Sequence, residues 1–280
     1  MEGRVAIVTG GLRGLGRAMA LGLARHGCRV LAVGHIAEDV AEVAREIADA
    51  AFAGRVATLV ADLRQAEECD RAVAAAAVRF GDVDILVNNA GLTFTYIDPA
   101  RYRRPTIQKF WEVGDAVVEN VFATNYLAAD RLARRVAPGM AARGWGRIVN
   151  VTTKLDTMNR AGTHPYGAAK AALEMATEVW AKEAEGTGLT INIVNPGTGA
   201  NTPGMAEEMR RMSREGRAAR LVEPEEMVPP LLYVVSHAAD RVNGWRFDAN
   251  LWDTALPPAE AARRAGRPAG FAMHPVPAQR

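Results

Sequence analysis

A tyrosine and a lysine stand four residues apart at the start of an alanine-rich stretch, as Tyr166 and Lys170 of YGAAK. On a helix, residues at this spacing share one face, so the phenol and the ammonium would lie side by side. A neighbouring positive charge stabilises a phenolate and lowers a pKa that is ordinarily near 10. Such a tyrosine can exchange a proton with a carbonyl or alcohol oxygen. The pair alone is weak evidence, since this spacing also arises by chance.

A glycine-rich turn follows the first apolar run of the chain. The stretch VTGGLRGLGRAMALGLARHG places Gly10, Gly14 and Gly16 between a β-branched segment and an amphipathic one. Glycines let the backbone approach a pyrophosphate, and the helix start offers free N–H groups and the positive end of its dipole. We therefore predict a dinucleotide site here, with a tight strand-to-helix turn without ligand as the simpler alternative.

Short apolar runs alternate with helical patterns along the chain. The runs have the composition of buried strands and cover residues 4–10, 29–34, 55–61, 84–91, 146–153 and 189–197. The helical patterns cover 14–26, 37–51, 66–79, 106–141 and 164–185. Strands that are apolar on both faces and separated by helices predict an α/β protein. Its core would be a Rossmann-like, doubly wound parallel sheet with helices on both faces.

The sequence predicts one domain followed by a C-terminal extension. Residues 1–252 contain no convincing linker, so we predict one domain there. Residues 253–280 are rich in Pro, Ala and Arg. We predict that they form a C-terminal extension outside the core, with a short helix from near Pro258 and then a mobile tail.

The composition argues against several classes of function. The 280 residues are 49% hydrophobic with a formal net charge of +2, which allows a sizeable core but gives no basic stripe for nucleic acid. Cys28 and Cys69 lack metal-ligand spacing, so we expect buried thiols in a reducing cytosol and no metal site. No apolar run has the length of a membrane span and the first residues do not resemble a signal peptide. We therefore expect a cytoplasmic protein without a membrane partner.

Five motifs, in this order along the chain, resemble those of the short-chain dehydrogenase/reductase family. They are TGxxxGxG from Thr9, Asp62-Leu63 after the third strand, NNAG at 88–91, YGAAK at 166–170 and NPG at 195–197. The resemblance covers residues 4 to about 250 and adds a seventh strand in VNGWRFDANLW. It implies hydride transfer between a nicotinamide cofactor and a ketone or aldehyde, or the corresponding alcohol.

The resemblance also implies four catalytic residues. Tyr166 would be the acid/base, and Lys170 would lower its pKa and hold the nicotinamide ribose. Thr153 stands where the family has a serine that hydrogen-bonds the substrate oxygen; threonine keeps the hydroxyl and adds a methyl that takes space. Asn125 lies 21 residues before the GRI of the fifth run, the family's interval for an asparagine that holds a water near the lysine. A core amide with internal partners is the alternative for Asn125.

The implied cofactor site runs along the edge of the sheet. Its residues are Gly10, Leu12, Arg13, Gly14, Leu15, Gly16, His35, Asp62, Leu63, Asn88, Ala90, Gly91, Tyr166, Lys170, Pro196, Gly197, Gly199 and Thr202. NAD sites end the second strand with an acidic residue, where this chain has Gly34 and His35. Arg13 and His35 could clasp a 2′-phosphate, which favours NADP(H) over NAD(H). Glu38 and Asp39 are expected to interact with the start of the next helix instead.

Two segments are candidates for the substrate side. Residues 92–111 exceed the family's usual loop by roughly a dozen residues and either overhang the site or form an ordinary surface loop. Residues 197–221 stand where the family has a mobile lid. Met205, Met209 and Met212 there would either cover the pocket or pack internally. The arginines of this segment are expected to be solvated rather than to bind an anion.

The predicted helix 164–185 has a second apolar face formed by Ala172, Met175 and Val179, which favours a homodimer or homotetramer. Together these features predict an NADP(H)-dependent carbonyl reductase or alcohol dehydrogenase acting on a small molecule. Two alternatives stay open: an NAD-dependent alcohol dehydrogenase, and a dinucleotide-binding sensor or interaction protein that has lost turnover.

Overall fold

A computed structural model describes residues 1–271, which contain one eight-stranded sheet. The strands are β1 (Val5–Thr9), β2 (Arg29–Gly34), β3 (Val56–Val60), β4 (Ile85–Asn88), β5 (Gly146–Asn150), β6 (Leu189–Asn195), β7 (Trp245–Asp248) and β8 (Gly266–Pro268). Their order across the sheet is β3-β2-β1-β4-β5-β6-β7-β8. Strands β1 to β7 pair in parallel and β8 pairs antiparallel with β7. The order reverses between β1 and β4, so a crevice opens at their carboxyl ends.

Eleven α-helices lie within residues 1–271. They are α1 (Gly14–Arg25), α2 (Glu38–Ile47), α3 (Ala66–Phe80), α4 (Phe94–Ile97), α5 (Asp115–Phe122), α6 (Ala128–Ala142), α7 (Leu155–Asn159), α8 (Tyr166–Glu183), α9 (Glu207–Arg214), α10 (Val228–Val234) and α11 (Pro258–Ala265). A π-helical turn, Ala123–Leu127, joins α5 to α6. None of the helices in this part of the chain is both long and apolar enough to cross a bilayer.

The two faces of the sheet carry separate hydrophobic clusters because successive side chains of a strand point to opposite sides. On one face, Val8 of β1 packs with Met19 of α1 and Leu231 of α10. On the other, Ile7 of β1 packs with residues of α3, α6 and the end of α8. Each face of a buried parallel sheet needs this cover, which is the doubly wound arrangement that the alternating apolar runs predict.

Both cysteines are buried free thiols, as the sequence predicts. Cys28 lies in the hydrophobic cluster that contains Met19 of α1. Cys69 lies in the cluster on the other face of the sheet, which contains Ile7 of β1. Burial raises the pKa of Cys28 to about 11, so its reactive thiolate form is disfavoured at neutral pH.

The C-terminal extension differs from the prediction. A helix does begin at Pro258, but Ala261, Ala262 and Ala265 of that helix are buried. The chain then forms β8, an eighth strand where seven were predicted. This happens because the edge of β7 offers unpaired backbone groups, which Gly266–Pro268 satisfies. The extension is therefore part of the packed core up to this strand; the rest of the predicted mobile tail, residues 272–280, lies outside the described residues.

The long predicted helix 106–141 starts later than expected. Residues 106–114 are irregular apart from a short 3₁₀ turn at Phe110–Glu112. The helix proper begins at Asp115, after Gly114 in extended conformation. The two large apolar side chains of this stretch, Phe110 and Trp111, are 65% and 70% exposed. Without burial of an apolar face, the helical pattern here gains little from folding.

Candidate functional site

A cleft of about 920 Å³ lies along the carboxyl ends of the parallel strands. Its walls come from the segments that follow β1 to β6, together with α4, the start of α8 and residues 198–205. Open α/β sheets bind ligands at this position, because the loops at a topological switch point diverge and leave a crevice. The volume is at the upper end of the range for small-molecule and cofactor sites.

The glycine-rich turn after β1 forms one end of the cleft. Gly10 and Gly14 adopt positive φ angles of +61° and +54°, which side chains disfavour. A Cβ at Gly16 would lie 2.0 Å from the carbonyl oxygen of Gly10, so only glycine allows this close approach. Within residues 1–271 no side chain caps the start of α1. Gly14 and Leu15 at this helix start line the cleft, so uncapped N–H groups are available there to an anion, and the turn fits the pyrophosphate of a dinucleotide.

Charged side chains surround the cleft where the second strand ends. Arg13, His35 and Asp39 all line it, and the Arg13 Nη1 lies 3.9 Å from the Asp39 Oδ2. The Arg13 side chain is 40% exposed and that of Asp39 15% exposed. Asp39 lies in the first turn of α2, as expected, but its carboxylate also faces the cleft, which the sequence did not predict. The environment for a ribose substituent therefore contains both a cation and an anion.

Asp62 and Leu63, after β3, both line the cleft. The two carboxylate oxygens of Asp62 accept hydrogen bonds from Arg64, at 2.9 and 3.0 Å from Nε. This pairing holds the pKa of Asp62 below its usual value. Arg64 in turn donates to the Asn120 side chain, whose Nδ2 donates to the Tyr96 hydroxyl. A chain of polar contacts thus joins the wall after β3 to residues 92–111.

The two asparagines of NNAG have different roles. Asn88 is buried and donates to the Asn150 side chain on β5; it does not line the cleft. Asn89 does line it, and its Nδ2 donates to the carbonyl oxygen of Thr9 at 2.9 Å. The Asn88 side chain is thus not among those that the structure brings to the cleft, because in a strand alternate side chains point to opposite faces. Asn89, omitted from the prediction, holds the glycine turn.

Tyr166 begins α8 at the floor of the cleft, with Thr153, three residues after the end of β5, beside it. Burial raises the pKa of the Tyr166 hydroxyl, and a hydrogen bond from Thr153 partly lowers it. This reverses the expected direction. The reason is that desolvation disfavours the phenolate more than neighbouring groups stabilise it. The phenol is therefore protonated at neutral pH.

Lys170 is buried one turn further along α8. Its Nζ donates a 2.6 Å hydrogen bond to the carbonyl oxygen of Val151, which fixes the ammonium beneath the cleft. Burial lowers the pKa of Lys170 to about 8. Gly91 lies beside the ammonium, since a Cβ added there would be 3.6 Å from this Nζ.

Asn125 sits in the π-helical turn, on the predicted buried stripe, and does not itself line the cleft. Its Oδ1 accepts from the N–H of Leu92 at 2.7 Å, and its Nδ2 donates to the carbonyl oxygen of Leu92 at 3.0 Å. Both polar atoms of the amide are therefore used to clamp the segment after β4. These internal bonds fit the alternative of a paired core amide, while one N–H of Nδ2 remains for the predicted contact with a water.

Residues 92–111 form part of the roof of the cleft. The Phe94 ring packs on the Tyr166 ring with centroids 4.8 Å apart, and the Arg101 guanidinium lies 4.2 Å from the Phe94 centroid. The hydroxyls of Thr93 and Thr95 donate to the carbonyl oxygen of Gly204 at 2.9 and 3.0 Å. The segment therefore overhangs Tyr166 and is tied to the segment that was predicted as a lid.

The segment 197–221 contributes both apolar and charged groups. Met205 and Met209 line the cleft, and the Tyr102 hydroxyl lies 3.8 Å from the Met205 sulfur. Its arginines lie largely in solvent, as expected, and four of them pair with surface glutamates rather than converge on an anion site: Arg210 and Arg214 with Glu207, Arg217 with Glu215 and Arg220 with Glu226. Met205 and Met209 therefore give this wall of the cleft a flexible apolar surface.

The structure brings most of the predicted site residues to one cleft. Lining it are Gly10, Leu12, Arg13, Gly14, Leu15, His35, Asp62, Leu63, Ala90, Gly91, Thr153, Tyr166, Lys170, Pro196, Gly199 and Thr202. Gly16 and Gly197 lie behind this surface. Gly16 packs on the Gly10 carbonyl, and a Cβ at Gly197 would meet the Asn250 side chain at 1.8 Å. These two glycines shape the loops rather than touch a ligand.

The doubly wound sheet and the glycine turn define a dinucleotide-binding α/β protein. Residues 4–213 match the family model described as short chain dehydrogenase. An acetoacetyl-CoA reductase from Allochromatium vinosum is 30% identical, over 88% of this chain and 97% of that protein. A 3-oxoacyl-(acyl-carrier-protein) reductase from Vibrio cholerae is also 30% identical, over 89% and 97%. The chain belongs to the short-chain dehydrogenase/reductase family of oxidoreductases.

A solved structure supports the same assignment. A variant of actinorhodin polyketide ketoreductase, determined with NADPH, is 29% identical and aligns with a TM-score of 0.71. The alignment covers 86% of this chain and 93% of that one.

Proposed function

We propose that this protein is an NADP(H)-dependent oxidoreductase that interconverts a ketone or aldehyde and the corresponding alcohol. The observation that carries the proposal is the arrangement of Tyr166, Thr153 and Lys170 at the floor of the cleft, beside the glycine turn. Three polar groups converge on the place where a small carbonyl compound could enter beneath Phe94.

In the reductive direction, Tyr166 acts as the general acid. Its raised pKa keeps the phenol protonated at neutral pH, so it can donate its proton to the carbonyl oxygen of the substrate. The Thr153 hydroxyl hydrogen-bonds the same oxygen and orients it, because threonine can donate and accept. Lys170, fixed by the Val151 carbonyl, would hold the ribose hydroxyls of the cofactor. The bound nicotinamide supplies the hydride.

The preference for NADP(H) rests on Arg13 and His35, with Gly34 where NAD sites carry an acid. The structure of the polyketide ketoreductase relative with NADPH agrees with this preference. Asp39 is the observation that favours the alternative, an NAD-dependent dehydrogenase, since a carboxylate would repel a 2′-phosphate and accept from a 2′-hydroxyl. Arg13 decides the proposed preference because its side chain is more exposed than that of Asp39 and is therefore the more accessible to a 2′-phosphate.

Replacing Arg13 by Ala is expected to weaken NADPH binding about 10- to 100-fold, the effect of losing a charge-assisted hydrogen bond. NADH affinity should change less than about threefold, since NADH lacks the phosphate. Both dissociation constants can be measured by cofactor fluorescence. Asp39→Asn is the matched control, because it removes the negative charge beside Arg13. This variant should bind NADPH more tightly than the wild type. Equal losses for both cofactors in Arg13→Ala would contradict the phosphate role.

The proposed substrate is a small molecule with an apolar portion. Phe94, Tyr102, Met205 and Met209 line or cover the cleft around the catalytic residues, and such side chains bind by apolar contact. The half-exposed face of α8 with Ala172, Met175 and Val179, of which Val179 is 44% exposed, supports assembly into a homodimer or homotetramer. A cytoplasmic location is part of the same proposal.

The direct test is oxidation of NADPH and NADH, at equal concentration, with a broad panel of ketones, aldehydes and quinones. We expect turnover with NADPH for at least one class of carbonyl compound. If NADPH binds tightly but no carbonyl in the panel is reduced, the sensor alternative replaces the enzyme. Faster turnover with NADH would favour the NAD-dependent dehydrogenase.

A further inference from the structure

A fully buried arginine lies beneath the end of β5, outside the set of catalytic and cofactor-binding residues. Arg246, on β7, has no exposed side-chain surface. Its Nη2 donates a 2.6 Å hydrogen bond to the carbonyl oxygen of Thr153, and its Nη1 lies 3.0 Å from the hydroxyl of Thr152. The two branches of one guanidinium therefore contact two successive residues, the second of which carries the hydroxyl beside Tyr166.

The arginine is itself held from two sides. Glu174 of α8, also without exposed side-chain surface, accepts from the Arg246 Nη1 at 2.6 Å and from the Thr152 hydroxyl at 2.9 Å. Asp248, two residues along β7, places its Oδ1 3.2 Å from the Arg246 Nε. Glu174 follows Lys170 by one helical turn. The network thus ties β5, β7 and α8 together behind the catalytic floor.

The buried ion pair of Arg246 and Glu174 is expected to contribute little to the free energy of unfolding. The desolvation of two buried charges offsets most of their mutual attraction. Apolar side chains of similar volume often stabilise a core equally well or better. A guanidinium does offer several N–H donors in a rigid planar fork. That geometry can fix the orientation of a backbone carbonyl, which an apolar side chain cannot do.

We propose that Arg246, held by Glu174, is a positioning residue that fixes Thr152 and Thr153, which lie just after β5 and are here called the strand end, so that the Thr153 hydroxyl meets the substrate oxygen. The inference rests on the proposed function for its catalytic consequence. Its structural part, restraint of the strand end, stands on the hydrogen bonds alone. The arginine acts through the Thr153 backbone and makes no contact with substrate or cofactor.

Arg246→Lys tests this in the full-length protein, because lysine keeps the charge and loses the fork. We expect kcat to fall about 10- to 100-fold, as for a small misplacement of a catalytic group. KM and NADPH affinity should stay within about threefold, because the cofactor cradle is untouched. Arg267→Lys is the matched control: Arg267 lies 3.7 Å from the same Asp248 but is on β8, and kcat should be unchanged.

A double-mutant cycle with Thr153→Val separates positioning from general damage. If Arg246 acts through Thr153, Arg246→Lys combined with Thr153→Val should be about as slow as Thr153→Val alone. Losses that multiply would overturn the proposal, as would wild-type kcat in Arg246→Lys. Should the lysine variant fold poorly, Arg246→Met with Glu174→Met removes both charges at similar volume and must show the same kcat loss.

Hydrogen exchange of the protein without substrate gives a readout that does not depend on turnover. The Val151 amide, which donates to the Asn88 carbonyl oxygen beside this segment, should exchange about 10-fold faster or more in Arg246→Lys, while the amides of α3 keep their wild-type rates. Unchanged exchange at Val151 would overturn the restraint itself. If the wild-type protein reduces no carbonyl compound, the proposed function fails, and the exchange result still decides whether Arg246 holds the strand end.

Discussion

Replacing Tyr166 by Phe is expected to lower kcat for carbonyl reduction about 1,000-fold, within the range for loss of a general acid. Only the hydroxyl is removed, so the ring that packs on Phe94 at 4.8 Å remains. NADPH affinity should therefore stay within about threefold of wild type. Stopped-flow reduction and cofactor fluorescence measure the two quantities. Tyr233→Phe is the matched control, since Tyr233 lies in the hydrophobic cluster on α1 and α10.

The direction of the Tyr166 pKa shift also predicts how each reaction responds to pH. Because the pKa is raised, the phenol is in its proton-donating form below it. Reduction should be nearly level between roughly pH 5 and 7, below the pKa of about 8 that burial gives Lys170, while oxidation, which needs the phenolate, should rise with pH. A reduction rate that already falls across that range would show that another group is the acid.

Replacing Lys170 by Met is expected to stop turnover and at the same time to stabilise the folded protein at neutral pH. Burial lowers the pKa of Lys170 from an ordinary 10.5 to about 8, so below pH 8 the folded state holds a buried charge at a cost of about 3 kcal/mol. The variant also loses the hydrogen bond from Lys170 to the Val151 carbonyl oxygen, which lowers the free energy of unfolding by about 1 kcal/mol. The net gain in the free energy of unfolding is therefore about 2 kcal/mol, measured by denaturant titration.

The sign of the pH dependence identifies the cause. Between pH 8 and 10.5 the unfolded chain binds more protons at this lysine than the folded chain does, so wild-type stability gains from rising pH there. The advantage of Lys170→Met should shrink across that window and be full below it. Lys182→Met, on the solvent side of the same helix with a side chain 72% exposed, should change stability little at any pH. An advantage independent of pH would mean that packing is responsible.

The sequence was most informative where the backbone pattern decides the structure. Alternating apolar runs predicted the doubly wound sheet, and the turn after β1 predicted a cleft at its edge, because periodicity and glycine geometry are local properties. The pKa of Tyr166 was predicted in the wrong direction, since burial depends on Phe94, which is distant in sequence. Asp39 and Asn89 were missed as cleft residues. Each lies next to the end of a strand or the start of a helix, where a boundary error of one residue changes the direction that a side chain is predicted to take.

The buried Arg246 could not be predicted either. Arginine in an apolar run suggests an edge or a surface, and its partners at Thr152 and Glu174 are more than 70 residues away. Nothing in the sequence spacing connects them. Long-range polar networks of this kind become visible only when the strands are assembled.

The strand β8 has a consequence for the protein while it is being made. Synthesis proceeds from the N-terminus, so β7 is complete before Gly266–Pro268 emerges, and until then its outer backbone groups are unpaired. Such an open edge can recruit a strand from another chain. The last strand is only three residues long and ends in Pro268, which lacks an N–H and makes a poor template for further pairing. A nascent or truncated chain that ends before Gly266 is accordingly the form most exposed to aggregation.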